Sequence, residues 1–517
     1  MIKVKSILWM MAAAIAGGIT MASCTSSDSG SGPSIPYRDN TPVDYTIMFY
    51  SAGGENLDKE TESDLLNAAK ALRAVDKQVR FMVQYKYSTQ EGINKSYSGG
   101  DDVPCGVAGG LYRFELLPSH ISQHGVLDYF KNDMLYGNQQ SASQIYRADS
   151  ITSFINYCQR NAPAKNYILM FSDHGAGYAV WDDFPKTRGI VSDKFHDGNP
   201  DISVCDIRTA IENSNMKHVK MINFDACLMN TLEVISEVAD VTDYVMASSH
   251  ISNGGNYTEL VNYLRGVNDD AAFEKNMSDY LNGTIQGMYN TMNEGDTNSK
   301  YAAGPNEKKR CDWALTNTAK FKAVLPAMKA FTEELVSQYN AGTLDQSKLE
   351  YAANNCYRPS VDNDLYDMGQ YVTLLAKANP NLNAEATALK TAMENAQVCH
   401  YYTNQVNGDF NNMDYKRLTY TVNLGAKVNV GEDVFVLRNG SPDNNKEIQC
   451  YDSNGLSFYY NVVNRTWRLG TLDETNVNAA WENTYETTAF DKATKWSRWL
   501  KLNPYFPLKN PPFIKCP

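Results

Sequence analysis

The chain has 517 residues, 43% hydrophobic and 21% charged, which is ample material for a large core and more than one domain. With 47 basic against 59 acidic residues the formal charge is −12, and no dense Lys/Arg cluster supplies the basic field that nucleic-acid binding needs. The 10 cysteines show no CxxC pair and no repeating spacing, which argues against a zinc framework and a disulfide scaffold alike.

Residues 1–23 read as an export signal: a short basic start, MIKVK, then the apolar, small-residue run ILWMMAAAIAGGITMA. Met21-Ala22-Ser23-Cys24 resembles a bacterial lipobox, with Met21 where leucine is commoner. Acylation at Cys24 adds roughly 0.8 kcal/mol of membrane affinity per buried methylene. Residues 24–42, rich in Ser, Gly and Pro, then form a flexible tether. The expectation is a lipid-anchored protein on the periplasmic or outer-surface face of a bacterial cell envelope; the alternative is an ordinary signal peptide cut nearby. No later apolar run reaches spanning length.

From residue 43 to about 265, short apolar runs alternate with helical patterns. YTIMFYSAGG, VRFMVQYKY, YILMF and VKMINF read as strands, and LLNAAKALRAV and ITSFINYCQRNA as helices. That alternation predicts a mostly parallel sheet with helices on both faces, and continuous apolar runs fit strands covered on both sides. Residues 266–400 read as mainly helical, with FKAVLPAMKAFTEELVSQY carrying apolar residues at three- and four-residue intervals. Residues 401–517 return to strands: LTYTVNLGAKVNVGEDVFVL has a period of two, GLSFYYNVV reads as a strand and AFDKATKWSRWLKL as a helix. The aromatic density, including 33 tyrosines, reads as packing rather than a carbohydrate platform.

Two of the core strands break off abruptly. YILMF runs into Ser172-Asp173-His174-Gly175, and VKMINF into Asp225-Ala226-Cys227 with a helical pattern directly after it. Ligands of open parallel sheets bind beyond the carboxyl ends of the strands, so His174 and Cys227 are placed at one rim. A thiol becomes a nucleophile when an imidazole takes its proton, and a helix start favours the thiolate. Gly175 allows close backbone approach, and the N–H groups of Gly175 and Cys227 are the expected oxyanion donors. A lone histidine or cysteine after a strand is usually structural; the two on successive strand ends are what carries the reading.

YTIMFYSAGGENLD, YILMFSDHGAGY, INFDACLMNTLEV, YVMASSHISNGGNY and NGLSFYY together resemble the clostripain-like cysteine peptidases of the caspase-like clan, over roughly residues 43–500. DHGAGY and DACLMN are the specific parts. The resemblance implies a caspase-like three-layer α/β sandwich with helical and small β-containing C-terminal elaborations, and an endopeptidase dyad of Cys227 and His174. It also implies cleavage after Arg or Lys, with Asp225 lining the pocket for the basic side chain; a rival role for Asp225 is a helix N-cap. Ser248-Ser249-His250 departs from the acidic or amide-bearing stretch common in relatives, and places Ser248 and His250 among the expected substrate-binding residues. Self-cleavage, known in some relatives, points to Lys186 and Arg188 in the loop between the catalytic strands. No cofactor is required by this chemistry. Some relatives need calcium, and DGNPD (197–201) offers oxygen ligands, yet it lacks the spacing of a dedicated site and reads first as a turn. Peptide substrates and a monomer are expected. The competing functional reading is a binding lipoprotein that keeps the fold without activity.

Overall fold

The computed structural model describes residues 41–53, 57–87, 109–128, 134–137, 144–175, 177–178, 189–192, 201–249, 252, 254–293, 312–345, 347–349, 352, 356, 365–402, 418–423, 445–450, 456–459 and 485–502. In chain order the strands are β1 (Val43–Ala52), β2 (Val79–Tyr87), β3 (Gly110–Glu115), β4 (Met134–Gly137), β5 (Ala164–Ser172) and the short antiparallel pair β6 (Ile190–Ser192) and β7 (Asp201–Ile202). They continue with β8 (Val219–Asp225), β9 (Thr242–Ala247), β10 (Asp312–Asn317), β11 (Leu365–Asp367) and β12 (Gln397–Tyr402). Among the described residues nine of these build one sheet in the order β12-β10-β9-β8-β5-β1-β2-β3-β4.

The five middle strands, β2, β1, β5, β8 and β9, are mutually parallel. Their side chains alternate between two apolar layers. Met48, Tyr50, Leu169, Phe171, Ile222 and Phe224 pack with the helices Ala148–Asn161, Val204–Asn213, Leu232–Val238 and Val324–Asn340. Ile47, Phe49, Ile168, Met170, Met221 and Met246 pack with Asp58–Ala71, Tyr257–Leu264 and Asp270–Asn293. Both faces are therefore dry, which is why these strands read as unbroken apolar runs. Each such side chain adds about 1.5–3 kcal/mol when fully buried, so the carboxyl ends of β5 and β8 are held in a stiff frame.

The sheet is wider than the sequence suggests. β3 and β4 extend one edge antiparallel, and β10 and β12 extend the other. Two strands thus come from beyond residue 265, from the stretch that reads as mainly helical. β12 was hidden because it follows the helix Asn383–Ala396 with no intervening turn residue. The start of the period-two stretch is a strand, Leu418–Asn423, paired antiparallel with Asn445–Cys450, which lies beyond that stretch; residues 424–444 lie outside the described residues. Ser457–Tyr459 pairs with β11. The last helical stretch is two helices, Ala489–Thr494 and Trp496–Leu502, because Lys495 takes a left-handed φ of 58° between them. Its leading end is fastened to the core: the Tyr485 hydroxyl donates to Glu233 at 3.1 Å and the Ala489 N–H to Glu237 at 3.1 Å.

Candidate active site

β5 and β8 lie side by side in register, Ser172 opposite Asp225, and the chain leaves both at the same edge. A β-carbon on Gly175 would lie 2.8 Å from Ala226 Cβ, 3.0 Å from Cys227 N and closer still to Cys227 O, so only glycine allows the loop to press against the cysteine. The Gly175 backbone favours the Cys227 thiolate, and Gly175 forms an isolated antiparallel bridge with Ile190. His174 is exposed; its N–H donates to the Asp173 carboxylate at 2.6 Å, which fixes the backbone of the loop.

Cys227 does not sit at a helix start. The helix begins at Leu232, capped by Thr231, whose hydroxyl accepts the Val234 N–H at 3.2 Å. Leu228, with φ 65°, turns the chain first. The dipole effect fades within the first turn, so it gives this thiol little. Two backbone groups of Ser252 flank the half-buried sulfur: the N–H lies 3.3 Å from it and the carbonyl, toward which the thiol donates, 3.9 Å. Burial pushes the thiol up to about 11, with the Ser252 and Gly175 N–H groups pulling it down and the Asp225 charge adding to the rise. At neutral pH such a thiol is ionised to only about one part in ten thousand, so the proton must go to a base as the sulfur reacts.

Asp225 is buried, and burial raises its pKa against the pull of three donors. The Tyr257 hydroxyl reaches Oδ2 at 2.7 Å and the Gly255 N–H reaches it at 3.2 Å, while the Ser252 hydroxyl is 3.5 Å from Oδ1. Oδ1 is the loosely held oxygen. Ser252 touches both sulfur and carboxylate, so the two groups flank one residue. The rival N-cap role is overturned, since Thr231 caps the helix and Asp225 is bound elsewhere.

Ser248 is a correction. It is fully buried and donates to Asp312 at 2.9 Å, while the Ser249 N–H reaches the same oxygen at 2.8 Å and His400 reaches the other at 3.2 Å. Its side chain is committed inward rather than to a pocket wall. His250, Lys186, Arg188 and Cys24 lie outside the described residues. Of DGNPD only Asp201 is described, buried in β7, and the other four residues lie outside the described residues; among the described residues no three His, Cys, Asp or Glu side chains gather to hold a metal. Cys158, Cys227, Cys356 and Cys399 are free thiols, and Cys205 is disulfide-bonded.

Three residues near the site escaped the sequence reading. Ser252 and Tyr257 lie 25 and 32 positions from their partners, Cys227 and Asp225. Asp64, on the helix Asp58–Ala71, lies near Gly254. Only the ISNGGNY glycines hinted that this loop must pass close to something.

The clostripain family model matches residues 135–502. The chain belongs to the clostripain family. It is accordingly a cysteine peptidase, and the caspase-like α/β sandwich is its fold. Among solved structures, a secreted C11 cysteine protease from Bacteroides thetaiotaomicron in complex with an irreversible peptide inhibitor is 16% identical, with a TM-score of 0.52 over 88% of this chain and 99% of that one. An inactive zymogen C11 protease from Parabacteroides distasonis is 14% identical, with a TM-score of 0.50 over 88% and 99%. No curated protein matches.

Proposed function

We propose that the chain is an endopeptidase that cleaves after Arg or Lys through Cys227 and His174, tethered to the cell envelope by a lipid on Cys24. The observation that supports it most is the joining of β5 and β8 at Ser172 and Asp225, which sets the His174–Gly175 loop against Cys227 with a buried carboxylate beside the thiol. His174 takes the thiol proton as sulfur attacks the scissile carbonyl, the N–H groups of Gly175 and Cys227 receive the developing oxyanion, and His174 returns the proton to the leaving amine. Water, deprotonated by His174, then hydrolyses the thioester and frees the thiol. Asp225 holds the guanidinium or ammonium of the substrate through Oδ1.

The test is turnover of peptides that differ only in the residue before the scissile bond. Arg and Lys are expected to be cut fastest, and equal rates, or a preference for Asp, contradict the assignment of Asp225. Envelope tethering is read by fractionation and by acyl-chain labelling of the wild type against Cys24→Ala. Self-cleavage is proposed at Lys186 or Arg188, between Tyr178 and Gly189. Intact-mass measurement should find the cut in wild type and not in Cys227→Ala; a cut in both points to another protease.

A further inference from the structure

We infer that Asp64 is a second specificity-determining carboxylate of the substrate pocket, engaging the same basic side chain as Asp225 from the opposite wall. The inference rests on the Arg/Lys reading above and deepens it.

Asp64 stands on the helix Asp58–Ala71, in the layer toward which Asp225 also points. That helix is tied to the segment following the Asp225 loop: the Thr258 hydroxyl donates to Asn67 O at 2.9 Å, and Arg265 donates to Ala71 O at 3.0 Å. Between the two acids the chain presents consecutive glycines. A β-carbon on Gly254, whose φ is 82°, would lie 3.7 Å from Asp64 Oδ2; one on Gly255 would lie 3.8 Å from Asp225 Oδ2 and collide with the Tyr280 hydroxyl. The strip separating the carboxylates is thus bare backbone, and Tyr257 and Tyr280 border it.

Among the described residues, the titratable groups acting on Asp64 are Asp225 from β8 and Glu60 from its own helix, both acids; the Tyr257 and Tyr280 hydroxyls on two neighbouring helices feel the Asp64 charge in turn. Burial first, then the two like charges, push Asp64 up to about 8, and burial pushes Asp225 up as well. Two like charges at one partly dry site repel and hold a proton until an opposite charge arrives. A substrate cation supplies that charge, and Asp64 then releases its proton. A carboxylate pair placed only for structure would share the proton and ignore the substrate.

The experiment compares wild type, Asp64→Asn, Asp64→Glu and Asp225→Asn on peptides identical except for Arg, Lys or citrulline before the scissile bond. Asp64→Asn should lower the Arg-to-citrulline ratio of kcat/KM by about tenfold, mainly through KM, with Asp64→Glu recovering part of it. In wild type KM for the Arg peptide should fall as pH rises through about 8, and that dependence should vanish in Asp64→Asn. Independently of any variant, calorimetry of agmatine binding to wild type in two buffers at neutral pH should show proton release. An unchanged ratio and pH profile in Asp64→Asn, or agmatine binding without proton release, overturns the role of Asp64. If Asp225→Asn alone loses the preference, the Arg/Lys reading survives without Asp64. If wild type shows no preference for Arg or Lys, both fall.

Discussion

The two strand ends that meet at the site are supported very differently. At the end of β8, Asp225 is buried and reached by Tyr257, Gly255 and Ser252, donors drawn from one loop and the helix after it. At the end of β5, His174 is exposed, and its backbone N–H is held by its own neighbour, Asp173. On the reading proposed above, Asp225, the group assigned to select substrate, is fixed before substrate arrives, and His174, the group assigned to move protons, stands exposed on a loop. Fixing the carboxylate lowers the ordering cost of binding, while an exposed imidazole can exchange its proton with water after each turnover.

If that contrast is right, substitutions on the two sides should separate cleanly. Cys227→Ala should abolish peptide hydrolysis, a loss of about a millionfold by analogy with nucleophile deletions elsewhere, while binding of agmatine survives. Gly175→Ala comes next: the added methyl has no room against Cys227 and Ala226, and the loss of one aligned donor costs about a hundredfold to a thousandfold in kcat, read in steady-state kinetics. Asp225→Asn should reduce kcat/KM for Arg and Lys peptides by about a hundredfold and leave citrulline peptides nearly unchanged. Tyr257→Phe removes the shortest bond to Asp225 and should weaken Arg selectivity by several-fold, with about 1–2 kcal/mol lost from stability in denaturant titration.

A separate effect, on stability rather than on turnover, concerns Asp64 and pH. Its folded pKa, about 8, lies above its ordinary 3.8, so its contribution to stability is fully present below pH 4 and is lost as pH rises through 8. The gain in Tm from Asp64→Asn should therefore grow between pH 4 and 8 and level off above it. A constant gain would mean that the Asp64 proton is not held.

Much of this was legible in the chain because the relevant signals are local. β1, β2, β5 and β8 announce themselves as apolar runs, since strands buried on both faces need no polar alternation. The abrupt arrival of His174-Gly175 and Asp225-Ala226-Cys227 marks two strand ends, and register then brings them together. The helix start at Leu232 was misplaced because Leu228 is apolar in sequence yet left-handed in the chain, and apolar spacing is blind to φ. Ser248 was expected at the substrate because Ser248-Ser249-His250 stands where relatives carry an acidic or amide-bearing stretch; Asp312, its partner in the interior, lies 64 positions away. Asp64 was invisible for the same reason, being one acid among 59, and only the fold brings its helix to the Gly254 loop.

Cys227 is proposed above as a nucleophile served by His174, beside a carboxylate that selects a basic side chain. Reaction with an arginyl chloromethyl ketone, followed by peptide mass mapping, tests it most directly. A single adduct on Cys227 is expected, formed much more slowly in His174→Ala and with the citrulline analogue. An adduct on Cys399, the other partly exposed free thiol among the described residues, or equal labelling by the two reagents, would contradict it.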